Sequence, residues 1–157
     1  MRVTKPTPEH IRPVNNRVGE LTSILKNLLR DVESGLLLSI TNQAQSEVLD
    51  DLLDQAEAYE GKNNKNGAGV LASVVFEDTV RRIARMSDDI GADDSLDKII
   101  DALAGKKKLS RNKAKRCKAA AGARNAALHA KWDEYEMSDV KATIDLTREL
   151  LDKHLAG

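Results

Sequence analysis

The stretch Ala114-Lys115-Arg116-Cys117-Lys118-Ala119-Ala120-Ala121-Gly122-Ala123-Arg124-Asn125-Ala126-Ala127-Leu128-His129 decides the fold. Alanine is the strongest helix former. Ala114, Cys117, Ala121, Arg124 and Leu128 recur at spacings of 3, 4, 3 and 4, the period of one helical face. Small residues on that face predict a helix buried against other helices. Arg124 lies in register with this apolar stripe, where a charge is costly unless paired. The aromatic content points the same way. A chain of 157 residues, 41 % hydrophobic, holds only Phe76, Trp132, Tyr59 and Tyr135, which favours helices packed through Leu, Ile, Val and Ala over a sheet rich in aromatic residues. The expected fold class is all-α.

Working outward, Ser110 is a natural N-cap for this helix, and Ser138 with Asp139 starts the next one, the acid sitting where the helix dipole favours negative charge. That last helix carries the stripe Val140, Ile144, Leu151 and Leu155. Upstream, a short helix is predicted at Ser95 to Ala104, after a loop rich in Asp. A longer one is predicted at about 67 to 87, burying Val70, Leu71, Val74, Val75, Val80 and Ile83. The segment Gly61 to Gly67 reads as a turn, because Asn and Gly tolerate left-handed backbone. Before it, Gly35 is expected to separate a helix carrying Val18, Leu21, Leu25, Leu28 and Leu29 from a second one with Leu37, Ile40, Ala44, Val48, Leu52, Ala56 and Tyr59 on one face. Residues 1–14, with three prolines and no period, read as an irregular arm, and 15–157 as one helical domain. Gly67-Ala68-Gly69-Val70-Leu71-Ala72 resembles the glycine-rich dinucleotide loop only superficially, since that loop must follow a strand. It reads as a helix start.

The chemistry lies in Arg124-Asn125-Ala126-Ala127-Leu128-His129. Arginine grips phosphate through a planar fork of donors and keeps its charge, while histidine trades protons near neutral pH. Asn125 and His129, four residues apart, project from one helical face with Arg124 beside it. Spacing alone proves little, because Arg148 and His154 form a similar pair. That second pair has Glu149 directly after the arginine and stands apart from the apolar stripe of its own helix.

Charge is segregated along a chain of zero formal net charge. Lys106, Lys107, Lys108, Arg111, Lys113, Lys115, Arg116 and Lys118 form a run without an acid, and residues 31–61 carry eight acids and no Lys or Arg. Cations crowded at a helix start oppose its dipole and repel one another. A bound polyanion would relieve both penalties and release counterions. RNA is therefore one expected partner of the run; a solvated face or an acidic surface on a partner protein is the alternative.

These residues resemble the HEPN superfamily (higher eukaryotes and prokaryotes nucleotide-binding domains). Its members are helical bundles with an Arg, four to six intervening residues and a His, the Arg most often followed by Asn, Asp or His. Arg124, Asn125 and His129 match that pattern. So does the order of Val-Phe-Glu-Asp-Thr-Val-Arg-Arg at 75–82, the basic segment, the motif, Lys-Trp-Asp-Glu-Tyr at 131–135 and a final helix. The resemblance covers about Gly67 to Leu155. It implies a HEPN-like four-helix up-and-down bundle, with an extra N-terminal helix and a short inserted one. It also implies a metal-independent endoribonuclease acting as a homodimer, in a setting such as phage defence or a toxin pair. Other members only bind or assemble. Where a modified subset has Tyr two residues after the His, this chain has Lys131, so that regulation is not expected. Glu77 and Arg81, four residues apart, read either as an ordinary helix ion pair or as support for Arg124. Trp132 and Tyr135 could stack bases, but fit better as a cover for the bundle end.

Composition sets the remaining bounds. No hydrophobic run approaches the roughly 20 residues needed to span a bilayer, and Pro6, Pro8 and Pro13 stand where a signal peptide would be apolar. A lone Cys117 allows no intrachain disulfide, which fits a reducing cytoplasm. His10, His129 and His154 are scattered without metal-ligand spacing, so neither a metal nor another cofactor is expected.

Overall fold

The computed structural model describes residues 12–87 and 90–154, with side chains described from residue 19 apart from those at 38, 39 and 42. The described residues are helical without strands: α1 Arg12–Gly61, α2 Lys65–Arg85, α3 Leu96–Gly105, α4 Arg111–Leu128, a single 3-10 turn at Trp132–Glu134, and α5 Met137–His154. The chain divides into two units, residues 1–42 and 43–157.

The first unit holds the N-terminal part of α1. Residues 1–11, most of the predicted irregular arm, and His10 lie outside the described residues. Residues 12–14 already belong to the helix, which tolerates Pro13 because a first-turn residue has no intrahelical N–H bond to lose. Gly35 does not divide α1, contrary to the sequence reading. Mid-helix glycine costs only about 1 kcal/mol, and no described glycine adopts positive φ. Every described side chain from 19 to 41 is exposed.

The second unit is a helical bundle. Helix α2 packs along both α4 and α5, while α3 lies against α4 and α2. Towards one end the core gathers Phe76, Val80, Ile100, Leu103, Cys117 and Leu150. Towards the other, Leu49, Leu53 and Ala56 of α1 pack with Ala72, Val75, Ala127 and Ile144. Complete burial of a side chain such as Phe76 or Leu53 stabilises by roughly 1.5–3 kcal/mol. The buried threonines satisfy themselves on their own helices. Thr79 donates to Val75 O at 2.7 Å and Thr147 to Thr143 O at 2.6 Å.

Several buried faces differ from expectation. In α1, Leu37, Ile40, Ala44, Val48 and Tyr59 of the expected stripe are exposed and Leu52 is half-buried; Ala56 is buried as expected, and it docks together with Leu49 and Leu53. Both stripes have helical spacing, so spacing alone could not choose between them. Val74 is 47 % exposed, its place in the α2 core taken by Ala72, Val75 and Phe76. Leu128 is 39 % exposed, because α4 ends there and turns its last buried face through Ala126 and Ala127. The stripe of α5 is buried at Val140, Ile144 and Leu151, and Leu155 lies outside the described residues.

The ends of α1, α3 and α4 follow one device. Asn64 N donates to Tyr59 O, Lys108 N to Leu103 O and Lys131 N to Ala126 O, each closing a helix with the residue before it left-handed: Asn63, Lys107 and Ala130 at φ 57°, 58° and 56°. This is the usual glycine position of a helix C-terminus. The starts are capped by Asn64, which accepts from Gly67 N at 3.0 Å, and by Ser110, which accepts from Lys113 N at 3.2 Å. Asp139 Oδ2 accepts from Glu136 N at 2.8 Å ahead of α5. Gly67 and Gly69 thus lie in the first turns of α2. A Cβ on Gly69 would meet the Tyr135 hydroxyl at 2.9 Å, so this glycine makes room for an aromatic ring.

Candidate active site

Arg124 sits in the last turns of α4 on the face that also buries Ala120, Ala121 and Ala127. Its placement there demands a counter-charge, and α2 supplies Glu77. Arg124 Nε donates to Glu77 Oε2 at 2.8 Å, and its Nη2 donates to the same oxygen. The other carboxylate oxygen is held by Arg81, through Nε at 3.0 Å and Nη2 at 2.8 Å. Arg81 also donates from Nη1 to Ala92 O at 2.5 Å and Asp94 O at 3.1 Å, tying the segment before α3 into the cluster. Glu77 is thus both the i,i+4 partner of Arg81 and the anchor of Arg124. Burial pushes its carboxyl up, but hydrogen bonds from Arg124 and then Arg81, with their charges, outweigh that and hold it below its usual value. The Glu77 side chain is 19 % exposed and that of Arg124 25 %.

Asn125 and His129 are exposed. His129 is the residue that closes α4: its N–H reaches Asn125 O at 3.2 Å, and the left-handed Ala130 carries the chain away immediately after it. One helix end therefore presents an anchored guanidinium, an amide and an imidazole. Glu77 takes Nε and Nη2 of Arg124, so Nη1 keeps its protons for another acceptor.

The second arginine–histidine pair is built differently. Arg148 donates from Nε to Glu57 at 2.8 Å and from Nη2 to Asp54 at 2.5 Å, and Asp50 lies 3.9 Å away. Those bonds raise its pKa further. His154 is half-buried, with its Nε2 enclosed and without a partner among the described residues. Burial, followed by the charges of Lys153, Lys113 and Lys108, lowers its pKa. Arg148 thus clamps α5 to the acidic stretch of α1.

The basic run divides in two. Glu149 of α5 engages Lys113 at 3.3 Å and Arg116 through two bonds of 3.0 and 2.8 Å, and Lys118 reaches Asp101 at 2.7 Å. Lys107, Lys108, Arg111 and Lys115 are exposed, and no ion pair to them forms among the described residues. The sequence could not show this division, because these acids belong to other helices.

Tyr135 is buried in the core and Trp132 packs edge-on to it at 6.5 Å, so both cover the bundle end. Lys65 Nζ closes that corner, donating to Trp132 O at 2.7 Å and Tyr135 O at 3.0 Å from above the Tyr135 ring. Cys117 is fully buried, which raises its thiol to about 11. Among the described residues no three His, Cys, Asp or Glu side chains gather as metal ligands, and no helix is long and apolar enough to cross a membrane. Compared with family models, with curated protein sequences and with solved structures, the chain matches none.

Proposed function

We propose that this protein is a metal-independent endoribonuclease of the HEPN type, a four-helix bundle with added helices whose active site forms across a homodimer. The observation that carries this reading is the contrast between the two arginine–histidine pairs. Arg148 is spent on three carboxylates. Arg124 is anchored by one, beside an exposed Asn125 and His129.

RNA brings its own nucleophile. In the proposed reaction one His129 takes the proton of the 2′-hydroxyl, O2′ bonds to phosphorus, and the bond from phosphorus to O5′ breaks. The leaving 5′-oxygen receives a proton, giving a 2′,3′-cyclic phosphate and a 5′-hydroxyl. Proton transfer by a positioned imidazole contributes roughly 10²–10⁴-fold. Arg124 holds the phosphate and stabilises the charge growing on its oxygens from a position fixed by Glu77. Asn125 donates its amide to the phosphate or orients the imidazole. The reaction needs an acid as well as a base, and each motif holds one histidine. A two-fold axis that brings in the partner subunit's His129 provides the second. Lys107, Lys108, Arg111 and Lys115 then guide the polyanion, which competes with Glu149 and Asp101 for Lys113, Arg116 and Lys118.

The test is cleavage of varied RNAs by pure protein in the presence of a chelator, with the product ends identified. Cyclic phosphate ends support the reading, and activity that needs metal sinks it. The engagement of Lys113, Arg116 and Lys118 by acids favours a second reading, a catalytically silent dimer that binds RNA or a partner protein. Binding without any cleavage would select it.

A further inference from the structure

The largest feature that the ribonuclease reading does not use is α1 ahead of the bundle. Leu21, Ile24, Leu25, Leu28, Leu29, Val32, Leu36, Leu37 and Ile40 are each 54–67 % exposed. At 100° per residue all but Leu37 fall within an arc of roughly 160°. The segment from 21 to 40 is about 30 Å long at 1.5 Å per residue. Lys26, Arg30 and Glu33 lie outside that arc, Arg30 nearest to the opposite side. Leu21, Leu25, Leu28 and Val32 are spaced 4, 3 and 4, the heptad seam of helices that pack on helices. Read on through the sequence, the same register reaches Leu49, Leu53 and Ala56, the α1 residues that are buried in the bundle. A stripe of this kind far exceeds the few hundred Å² of contiguous apolar surface that monomeric proteins tolerate.

Helix stability points the same way. Helices draw most of their stability from packing an apolar face. This segment buries no described side chain and also carries Gly35, which costs about 1 kcal/mol. We propose that residues 21–40 of α1 pair with the same segment of a second copy of this chain. Three observations favour that occupant. The remaining exposed large apolar residues, Val48, Tyr59, Val74, Met86 and Leu128, are scattered singly over the later part of α1, α2 with its C-cap, and the end of α4, so among the described residues no other stripe has the length to cover this one. The segment carries two cations and two acids, Lys26 and Arg30 against Asp31 and Glu33, so like copies meet without net repulsion. Its length, about 30 Å at 1.5 Å per residue, gives a second copy roughly five helical turns to lie along. Ile24 and Leu29 flank the seam and widen it beyond two rows, which allows more than two helices to meet.

The inference does not rest on the ribonuclease reading, and cleavage is not its measure. The full chain at micromolar concentration is followed by light scattering and by amide exchange resolved along the sequence. The parent should run as a multiple of the chain mass with residues 21–40 protected from exchange. The double variant Leu25→Glu, Leu28→Glu should lose the protection, and with it whatever mass this pairing alone holds together, while the bundle keeps its thermal transition. Arg30→Glu, away from the stripe, should change neither. Three results overturn the proposal: a parent of any mass with 21–40 unprotected, a monomeric parent with 21–40 protected by something else, or a double variant that keeps the protection of 21–40.

Discussion

At the scale of single residues, identical side chains part company through their neighbours. Arg124→Ala and His129→Ala should each abolish RNA cleavage, measured as loss of cyclic phosphate product, whereas His154→Ala should leave it intact. Arg148→Ala should also cleave, but with a lower unfolding midpoint. It forfeits a partly exposed network of three acids, worth roughly 1–2 kcal/mol. Glu77 makes a pH prediction. Its folded-state pKa lies below its unfolded one, so the unfolded chain binds more protons in between and stability rises with pH across that interval. The contribution is complete above the ordinary glutamate value of about 4.3 and is lost as pH falls through the folded value. Glu77→Gln should therefore be less stable than the parent at neutral pH. Denaturant titrations at successively lower pH should show the gap closing on the acid side, and a gap independent of pH would refute the account. Arg124, Asn125 and His129 were legible in the sequence because they are contiguous on one helix. The bond from Arg124 to Glu77 spans 47 positions; the sequence offered Glu77 with Arg81 as either an ordinary ion pair or support for Arg124, and spacing within α2 could not choose between them.

At the scale of elements, the starts of α2, α3, α4 and α5 fall within two residues of expectation, because the turn at 61–67, Ser95, Ser110 and Ser138 with Asp139 are local signals; Ser110 and Asp139 bond adjacent backbone, whereas Ser95 stands at the N-cap of α3 without a side-chain bond. Faces were harder to read. In α1 the stripe containing Val48 and the one containing Leu49 and Leu53 are equally periodic, and only the apposed helices choose between them. Gly35 misled for a related reason, since a glycine weakens a helix without ending it. The left-handed caps invite a direct test. Ala130 adopts φ 56°, which costs a residue with a Cβ roughly 1–2 kcal/mol. Ala130→Gly should raise stability by about 1 kcal/mol, seen as a higher urea midpoint at unchanged slope.

At the scale of the whole molecule, the division of the basic run decides which charges can be removed without harming the fold. Reversing Lys113 or Arg116 would set an acid against Glu149. Reversing Lys108, Arg111 and Lys115 breaks no ion pair among the described residues, so this triple variant should keep the parent's melting curve. Its RNA affinity should fall, and the slope of log affinity against log salt should flatten by up to about 3 if all three cations touch phosphate. Unchanged binding would make the run a solvated face. A last consequence follows from Cys117. It is the chain's one cysteine, sealed among α2, α3, α4 and α5 with its thiol raised to about 11. A thiol reagent near neutral pH finds neither access nor thiolate until those helices part. Each labelled molecule then records one opening of the core. Labelling should be slow in the native protein and immediate in denaturant. Any ligand that binds only the folded bundle should slow it by the factor 1 + [L]/Kd. The sulfur so carries a built-in clock, able to report RNA engagement whether or not the RNA is cut.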